Sequence, residues 1–267
     1  MDAISRPILI LVALREEVRA IQPLLEGARP IPGEKGLVGG RLAEADVILA
    51  RSGVGTARAA DVTRRLLERF RPRAILAAGF AGGLREDLRP GDVVAASSVT
   101  EDRPTDAAGD PVTRDAPAAI LEVLGRAEAT QPTLPPGNRL LVGRLVTVAR
   151  PSKSPEEKLE LRRRHRADAV DMESSAVAGA AAEAGIPWLC VRTILDEQAC
   201  ELPFDFGKVL GPDGEPATGK ILAEAIRRPT RFVALAGLGA RARRAAKSLR
   251  ALVPACVLAL QASPPAP

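Results

Sequence analysis

The chain has 267 residues, 46% of them hydrophobic, enough to bury a full α/β core; with five Phe, one Trp and no Tyr, that core must be built from Leu, Val, Ile and Ala. Three cysteines without a CxxC pair fit a reducing compartment and leave no cysteine zinc site, and a single histidine excludes a Ser-His-Asp triad or an HExxH metal site. The net charge of +5 is unevenly spread: of the 38 Lys and Arg, eight lie in the stretch from Ala225 to Pro267, which has no acidic residue, leaving a mildly acidic body of 30 basic against 33 acidic residues.

Ile8–Leu14 reads as a buried strand. It follows Pro7, runs straight into Glu16 and Glu17, and is too short for a signal peptide or a bilayer span; no segment reaches the roughly 18–20 apolar residues a span needs. Glu16–Leu25 reads as a short helix containing Pro23. Leu37–Leu42 and Val47–Ala50 form a hairpin across the turn Ala43 to Asp46. Thr56–Phe70 is an amphipathic helix, with Ala59, Val62, Leu66 and Phe70 on one face. Ala74–Ala78 is a buried strand ending at a glycine turn, Gly79 to Leu84, and Gly91–Val99 is the next strand. A polar loop, Thr100 to Asp115, precedes a helix over Ala116–Ala127 and a break at Pro132–Gly137. Leu140–Val148 is a strand and Pro155–His165 a charged helix, at whose end His165 reads as solvated. Ala167–Val170 leads into an Ala-rich helix over Met172–Ala184, and Trp188–Ile194 is the last central strand. Glu201 to Glu215 reads as a loop. This alternation predicts a three-layer α/β/α sandwich with a mixed central sheet.

Three segments stop a strand pattern with glycines or a lone carboxylate: Gly79-Phe80-Ala81-Gly82-Gly83-Leu84, Asp171-Met172-Glu173 and Arg192 to Asp196. A carboxylate at the end of a buried strand is costly unless it is paired or used, and open α/β folds bind ligands at strand ends. Ser52-Gly53-Val54-Gly55-Thr56, running into a helix, is either a tight turn or a nest of backbone N–H groups for a ligand.

Together with Ala13-Leu14-Arg15-Glu16-Glu17-Val18 and Gly91-Asp92-Val93-Val94, these segments stand in the order of a known family. Over roughly Ile8 to Phe206 the chain resembles the nucleoside phosphorylase and nucleosidase superfamily, particularly its methylthioadenosine/S-adenosylhomocysteine nucleosidase branch. The resemblance implies cleavage of the N-glycosidic bond of a purine nucleoside, more by water than by phosphate, with no metal and no organic cofactor. It implies that Asp196 is the acid that protonates the leaving base, as a buried carboxyl with a raised pKa can. Glu173 would hold the ribose and Met172 pack against the sugar. Glu17 would direct water, although a first-turn helix acid reads the same way. Glu173 could equally complement a helix dipole, and Arg192 could either hold a neighbouring carboxylate or form a structural ion pair. Gly53, Gly55, Gly79, Phe80 and Ala81 would line the pocket.

The chain also departs from the family. Phosphorylases carry a phosphate-binding Arg where Ala77 stands, which argues against phosphorolysis. Phe80 replaces a small hydroxyl residue, and Arg150-Pro151-Ser152 stands where a base-stacking aromatic is expected, leaving Phe204 and Phe206 to cover the base. Beyond a catalytic unit of residues 1–224, residues 225–267 are expected to form a basic amphipathic helix. Leu235, Leu238, Ala242, Ala245, Leu249, Leu252 and Cys256 recur at helical spacing, so it either packs on the body or lies on an anionic membrane surface. The scarcity of aromatics speaks against nucleic acid. A cytoplasmic homo-oligomer is expected. The readings kept beside the nucleosidase are a phosphorylase, an adenosyl-lipid (hopanoid) substrate like that of some superfamily members, and a silent nucleoside-binding protein.

Overall fold

The structure, a computed structural model, describes residues 6–103, 112–130, 133–152, 154–201 and 231–262. Strand β1 (Ile8–Val12) is apolar and buried throughout because both its faces are covered. Ile8, Ile10 and Val12 enter one core, while Leu9 and Leu11 enter the other. It pairs in parallel with β4 (Ala45–Arg51) and β5 (Ala74–Gly83). Beyond β4 the sheet continues antiparallel through β3 (Leu37–Leu42) and β2 (Glu26–Pro30), the latter an exposed edge with no apolar pattern to announce it. The β3–β4 connection is tighter than the expected turn. Ala43 and Glu44 alone carry it, both at positive φ (49° and 64°), as a two-residue hairpin loop demands.

On its other side β5 pairs in parallel with β10 (Trp188–Asp196), which pairs antiparallel with β6 (Val93–Glu101). Strand β7 (Thr113–Asp115) adds to the far end of β6. Strand β8 (Leu140–Thr147) runs parallel to β6, and β9 (Ala169–Asp171) lies parallel to β8 and antiparallel to the end of β5. The circuit β5–β10–β6–β8–β9–β5 is therefore closed, and a small barrel stands at one end of the open sheet.

Helices α1 (Arg15–Ile21), α3 (Ala118–Thr130) and α6 (Arg231–Ala262) pack on one core, α2 (Thr56–Phe70) and α5 (Ser174–Glu183) on the other. Helix α4 (Pro155–His165) closes a third cluster at the barrel end through Leu161, against Leu84 and Val146. The result is the three-layer α/β/α sandwich with a mixed sheet.

Five expectations need correction. Thr113–Asp115, expected as the end of a polar loop, is strand β7, because it pairs with β6. Helix α1 stops at Ile21, and Pro23, with no N–H to donate, sits in a short 3-10 turn over Gln22–Leu24. The Gly79–Gly83 stretch is not a turn: β5 runs through it to Gly83 with extended backbone. His165 is not solvated; its side chain is only 5% exposed and Nε2 lies 2.7 Å from Asp102 Oδ1, because the helix end packs beside the end of β6. Finally, Gly237–Ala262 does have the length and mean hydropathy (1.3) of a bilayer span, but half of it is buried inside the protein.

That last helix uses the anticipated apolar stripe to cover the sheet. Leu249, Leu252 and Cys256 are buried in the core shared with β1, β5 and β10 and Ala245 is buried too, while Arg243, Arg244, Lys247 and Arg250 face solvent. Arg73 Nη2 donates to the Gln261 carbonyl at 2.9 Å, placing a cation at the carbonyl end of the helix. The anticipated boundary near Glu224 lies outside the described residues; the helix beyond it shares the body's core. Leu249→Ala or Leu252→Ala should each destabilise the chain by about 2–5 kcal/mol, the cost of a core cavity. The check is the chemical denaturation midpoint; an unchanged midpoint would make α6 an appendage.

Candidate functional site

The carboxyl ends of β1, β4, β5, β8, β9 and β10 converge on one cavity. Glu17, Phe80, Ala81, Met172, Glu173 and Asp196 all line it. The rest of its wall is largely apolar, from residues such as Leu14, Val54, Val148 and Pro151. Phe204 and Phe206 lie outside the described residues.

Glu17 enters from the first turn of α1 and is buried. Its Oε2 accepts from the Ala13 and Leu14 N–H groups at 2.7 and 2.8 Å, and its Oε1 from the Phe80 N–H at 2.7 Å. Burial raises its pKa; the charge of Arg192 and these backbone bonds pull the other way without cancelling the rise. Three N–H donors leave room on a carboxylate for one further partner, such as a water.

Arg192 lies opposite Gly79 in the parallel β5–β10 register, and its side chain crosses that position. A Cβ on residue 79 would stand 2.5 Å from Arg192 Nη1 and 2.6 Å from Glu17 Oε1. Glycine is needed there for close approach, not for a turn. The guanidinium Nη2 is 2.7 Å from Asp171 Oδ2 and 3.9 Å from Glu173 Oε2, and Nε donates to Ser174 Oγ at 3.1 Å. Burial opposes its charge, but Asp171 first and then Glu173 hold its pKa above the usual arginine value.

Asp171 is fully engaged. Besides Arg192 it accepts from Thr147 Oγ1 at 2.7 Å and caps α5 through the Ser174 N–H at 2.9 Å. Glu173 occupies the N-cap position of α5 but makes no cap bond of its own. Its Oε1 instead accepts from the Gly55 N–H at 2.9 Å, at the start of α2, where Gly55 holds φ 109°. Burial, and next the charge of Asp171, push its pKa to about 8, with Arg192 opposing. One guanidinium facing three buried carboxyls makes such a proton uptake the expected outcome. Contrary to expectation, Gly53, Gly55, Gly79 and Arg192 do not line the cavity: Gly53 holds φ 78° in the turn that presents Gly55, the Gly55 N–H serves Glu173, and Gly79 gives room to Arg192, which stands behind the acids.

Asp196 ends β10 and is buried. Its Oδ2 accepts from the ammonium of Lys158, a side chain only 1% exposed that also donates to the carbonyls of Glu197 at 2.6 Å and Cys200 at 3.2 Å. Burial raises the Asp196 pKa, and Lys158 works against the rise. Lys158 and the capping role of Asp171 escaped the sequence reading. The one available signal for Lys158 is its i, i+3 spacing to Leu161, the only two buried residues of α4.

A cavity ringed by three acids from different elements, at the strand ends of a mixed α/β sandwich, stands where open α/β folds place their ligands. The chain belongs to the phosphorylase superfamily, whose family model matches residues 7–227, and it is an enzyme of that superfamily. Among characterised relatives it is similar to the 5′-methylthioadenosine/S-adenosylhomocysteine nucleosidase of Shewanella halifaxensis, 28% identical over 202 residues, covering 70% of this chain and 84% of that protein. Its fold matches a crystal structure of the corresponding Neisseria meningitidis enzyme in complex with methylthio-immucillin-A, with a TM-score of 0.67 at 21% identity over 93% of this chain and 98% of that one. It also matches native futalosine hydrolase of Helicobacter pylori, TM-score 0.67 at 22% identity over 93% and 97%. An adenosyl-lipid substrate or a silent binding protein finds no support among these three.

Gly79→Ala should disturb Glu17 and Arg192 together and destabilise the chain by about 1–3 kcal/mol, as overpacking does; an unchanged melting temperature would show that the backbone yields freely. Glu173→Gln should act in the opposite sense, and with pH. A carboxyl whose folded pKa is raised to about 8 weakens the fold progressively as pH climbs from its unfolded value near 4.5 through 8. The amide should therefore raise Tm by roughly 2 °C or more at pH 9 and by less at pH 5, as thermal melts of the ligand-free chain would read.

Proposed function

We propose that the protein is a purine nucleosidase, which hydrolyses the N-glycosidic bond of an adenine (or closely related purine) nucleoside to free base and sugar. The observation that carries this reading is the convergence of Glu17, Glu173 and Asp196 on one cavity, each in a different electrostatic setting.

Breaking the bond sends electrons into the purine and leaves the sugar with oxocarbenium character. Asp196, with its raised pKa, donates a proton to the base nitrogen that would otherwise carry the charge. Glu173 accepts hydrogen bonds from ribose hydroxyls and faces the developing positive charge. Met172 packs on the sugar. Glu17 orients the attacking water and takes its proton, its own position being held by three N–H groups. Phe80 and the apolar wall exclude bulk solvent from the exchange.

Water, not phosphate, is the co-substrate in this reading. The backbone N–H groups of Ala13, Leu14 and Phe80, and that of Gly55, could have cradled an oxyanion, but the chain's own Glu17 and Glu173 occupy them. Arg192 is committed to Asp171 and Ser174, and position 77 is a buried alanine. The names of the relatives, nucleosidase and hydrolase, support the same choice.

The test is a panel of purine nucleosides, including 5′-methylthioadenosine, with base release followed in the presence and absence of phosphate. Release should be independent of phosphate; a strict phosphate requirement would refute hydrolysis. Asp196→Asn should lower turnover by about 10² to 10⁴-fold while leaving nucleoside binding largely intact, because the amide keeps an acceptor for Lys158 but has no carboxyl proton to give. Near-normal turnover in that variant would remove Asp196 from the role of acid.

A further inference from the structure

Lys158 takes no part in the reaction outlined above, yet it is among the most buried charged side chains of the chain and lines the same cavity as Asp196. An ammonium in that position costs a great deal unless all of its donors are met. They are: three N–H groups face three acceptors, Asp196 Oδ2, the Glu197 carbonyl and the Cys200 carbonyl. With its donors spent on the chain itself, Lys158 is not arranged to hold a ligand. It is arranged to hold the end of β10 and the turn after it against α4.

We propose that Lys158 is the positioning residue of the acid: it clamps Asp196 in place and sets the charge against which that carboxyl gives up and regains its proton. This deepens the nucleosidase reading and rests on it. In the transfer step the Asp196 O–H bond breaks as an N–H bond forms on the departing purine, and the electron pair left on oxygen makes a carboxylate. That carboxylate is formed in contact with an ammonium that keeps its own three protons. The neutral base leaves, and Asp196 is reprotonated from water. Without Lys158 the new carboxylate would be buried unpaired, and burial alone would hold the proton too tightly to be given away.

Other charges also bear on Asp196. Arg241 on α6 favours the carboxylate, and Glu197, next in the chain and itself 3.6 Å from Arg89, disfavours it. Glu17, Asp171 and Glu173 share the cavity wall, and Arg192 balances them from behind Gly79. Only Lys158 among them touches the carboxyl directly.

Two neutral variants of the full chain test this. Lys158→Met keeps the length of the side chain without its charge or donors, and Lys158→Gln restores a donor without the charge. In a pH profile of kcat/KM for nucleoside cleavage, the alkaline limb should move up by about one unit or more in both, since removing a contacting cation raises a carboxyl pKa. Turnover should fall more than KM rises. A limb that stays put while turnover falls would mean that Lys158 serves the fold alone, and would overturn the proposal.

A second readout needs no substrate. The Asp196 carboxyl carbon, assigned by its loss in Asp196→Asn, should titrate at higher pH in the variants than in the native chain by nuclear magnetic resonance. If neither variant folds, the native chain decides: the Lys158 ammonium nitrogen should shift with the same midpoint as the Asp196 carbon, and separate midpoints would overturn the pairing. A raised carboxyl midpoint in a chain that cleaves no purine nucleoside would support the clamp and refute the nucleosidase reading. Cleavage with an unmoved limb and an unmoved midpoint would do the reverse.

Discussion

The guanidinium of Arg192 must cross β5 to meet acids delivered by α1 and by the β9–α5 junction, and it can cross only where residue 79 has no side chain. From that contact the rest of the site follows. Glu17 approaches the same gap from the opposite direction and finds the Phe80 N–H there, so two elements far apart in sequence are registered on one backbone position. Asp171 is fixed by Arg192 and the Ser174 N–H on Oδ2 and by Thr147 on Oδ1, which sets the start of α5 and hence where Glu173 stands. Removing one partner of such a buried charge cluster typically costs about 3–5 kcal/mol. In the proposed reaction the cluster would be structural and functional at once, so that packing and chemistry are not exclusive alternatives for Arg192.

What could be read beforehand followed from how local the cause was. The Thr56–Phe70 and Pro155–His165 helices carry their own periodicity, cap or proline signal, and their bounds coincide with the expectation. The Gly79–Gly83 stretch was misread because glycine has two uses, a turn or close approach, and which applies depends on Arg192, more than a hundred residues away. His165 shows the same blindness: a histidine in a run of arginines reads as solvated until Asp102 arrives from β6. The positions of Asp196 and Glu173 at strand and helix ends are legible, since lone carboxylates interrupt apolar runs; Glu17, one of the pair Glu16-Glu17, reads from the residues alone as a first-turn helix acid, and only the family resemblance singles it out. Lys158 is not legible, because one lysine in a helix full of charge gives no sign of facing inward.

The final helix illustrates a related limit. A basic amphipathic pattern fits a membrane surface and a protein core equally well, because both want the same apolar stripe. The decision lies in the open face of the sheet: Leu249, Leu252 and Cys256 fill the core over β1, β5 and β10 that would otherwise be exposed to water. With the stripe spent there, Arg243, Arg244, Lys247 and Arg250 form the exposed side of a helix that packs on the body.

In the proposed reaction the three acids need different proton affinities, and burial alone would push all three the same way. The chain separates them by what touches each. Glu17 receives three backbone N–H bonds and the field of Arg192, which favour the ionised form that a water-directing base requires. Glu173 receives one N–H bond, and burial with the repulsion of Asp171 pushes its pKa up to about 8, favouring the protonated form before substrate binds. A sugar developing positive charge beside it would favour its ionised form, so its hold on the sugar strengthens as the bond breaks, where stabilisation accelerates the reaction. Asp196 has no backbone donor among its described bonds and relies on Lys158. An ammonium tempers the carboxyl's affinity for its proton without offering that proton a competing acceptor. In the proposed reaction one group would act as base, one as charge-responsive clamp and one as acid; burial raises the pKa of all three, and the count and kind of hydrogen-bond donors around each differ.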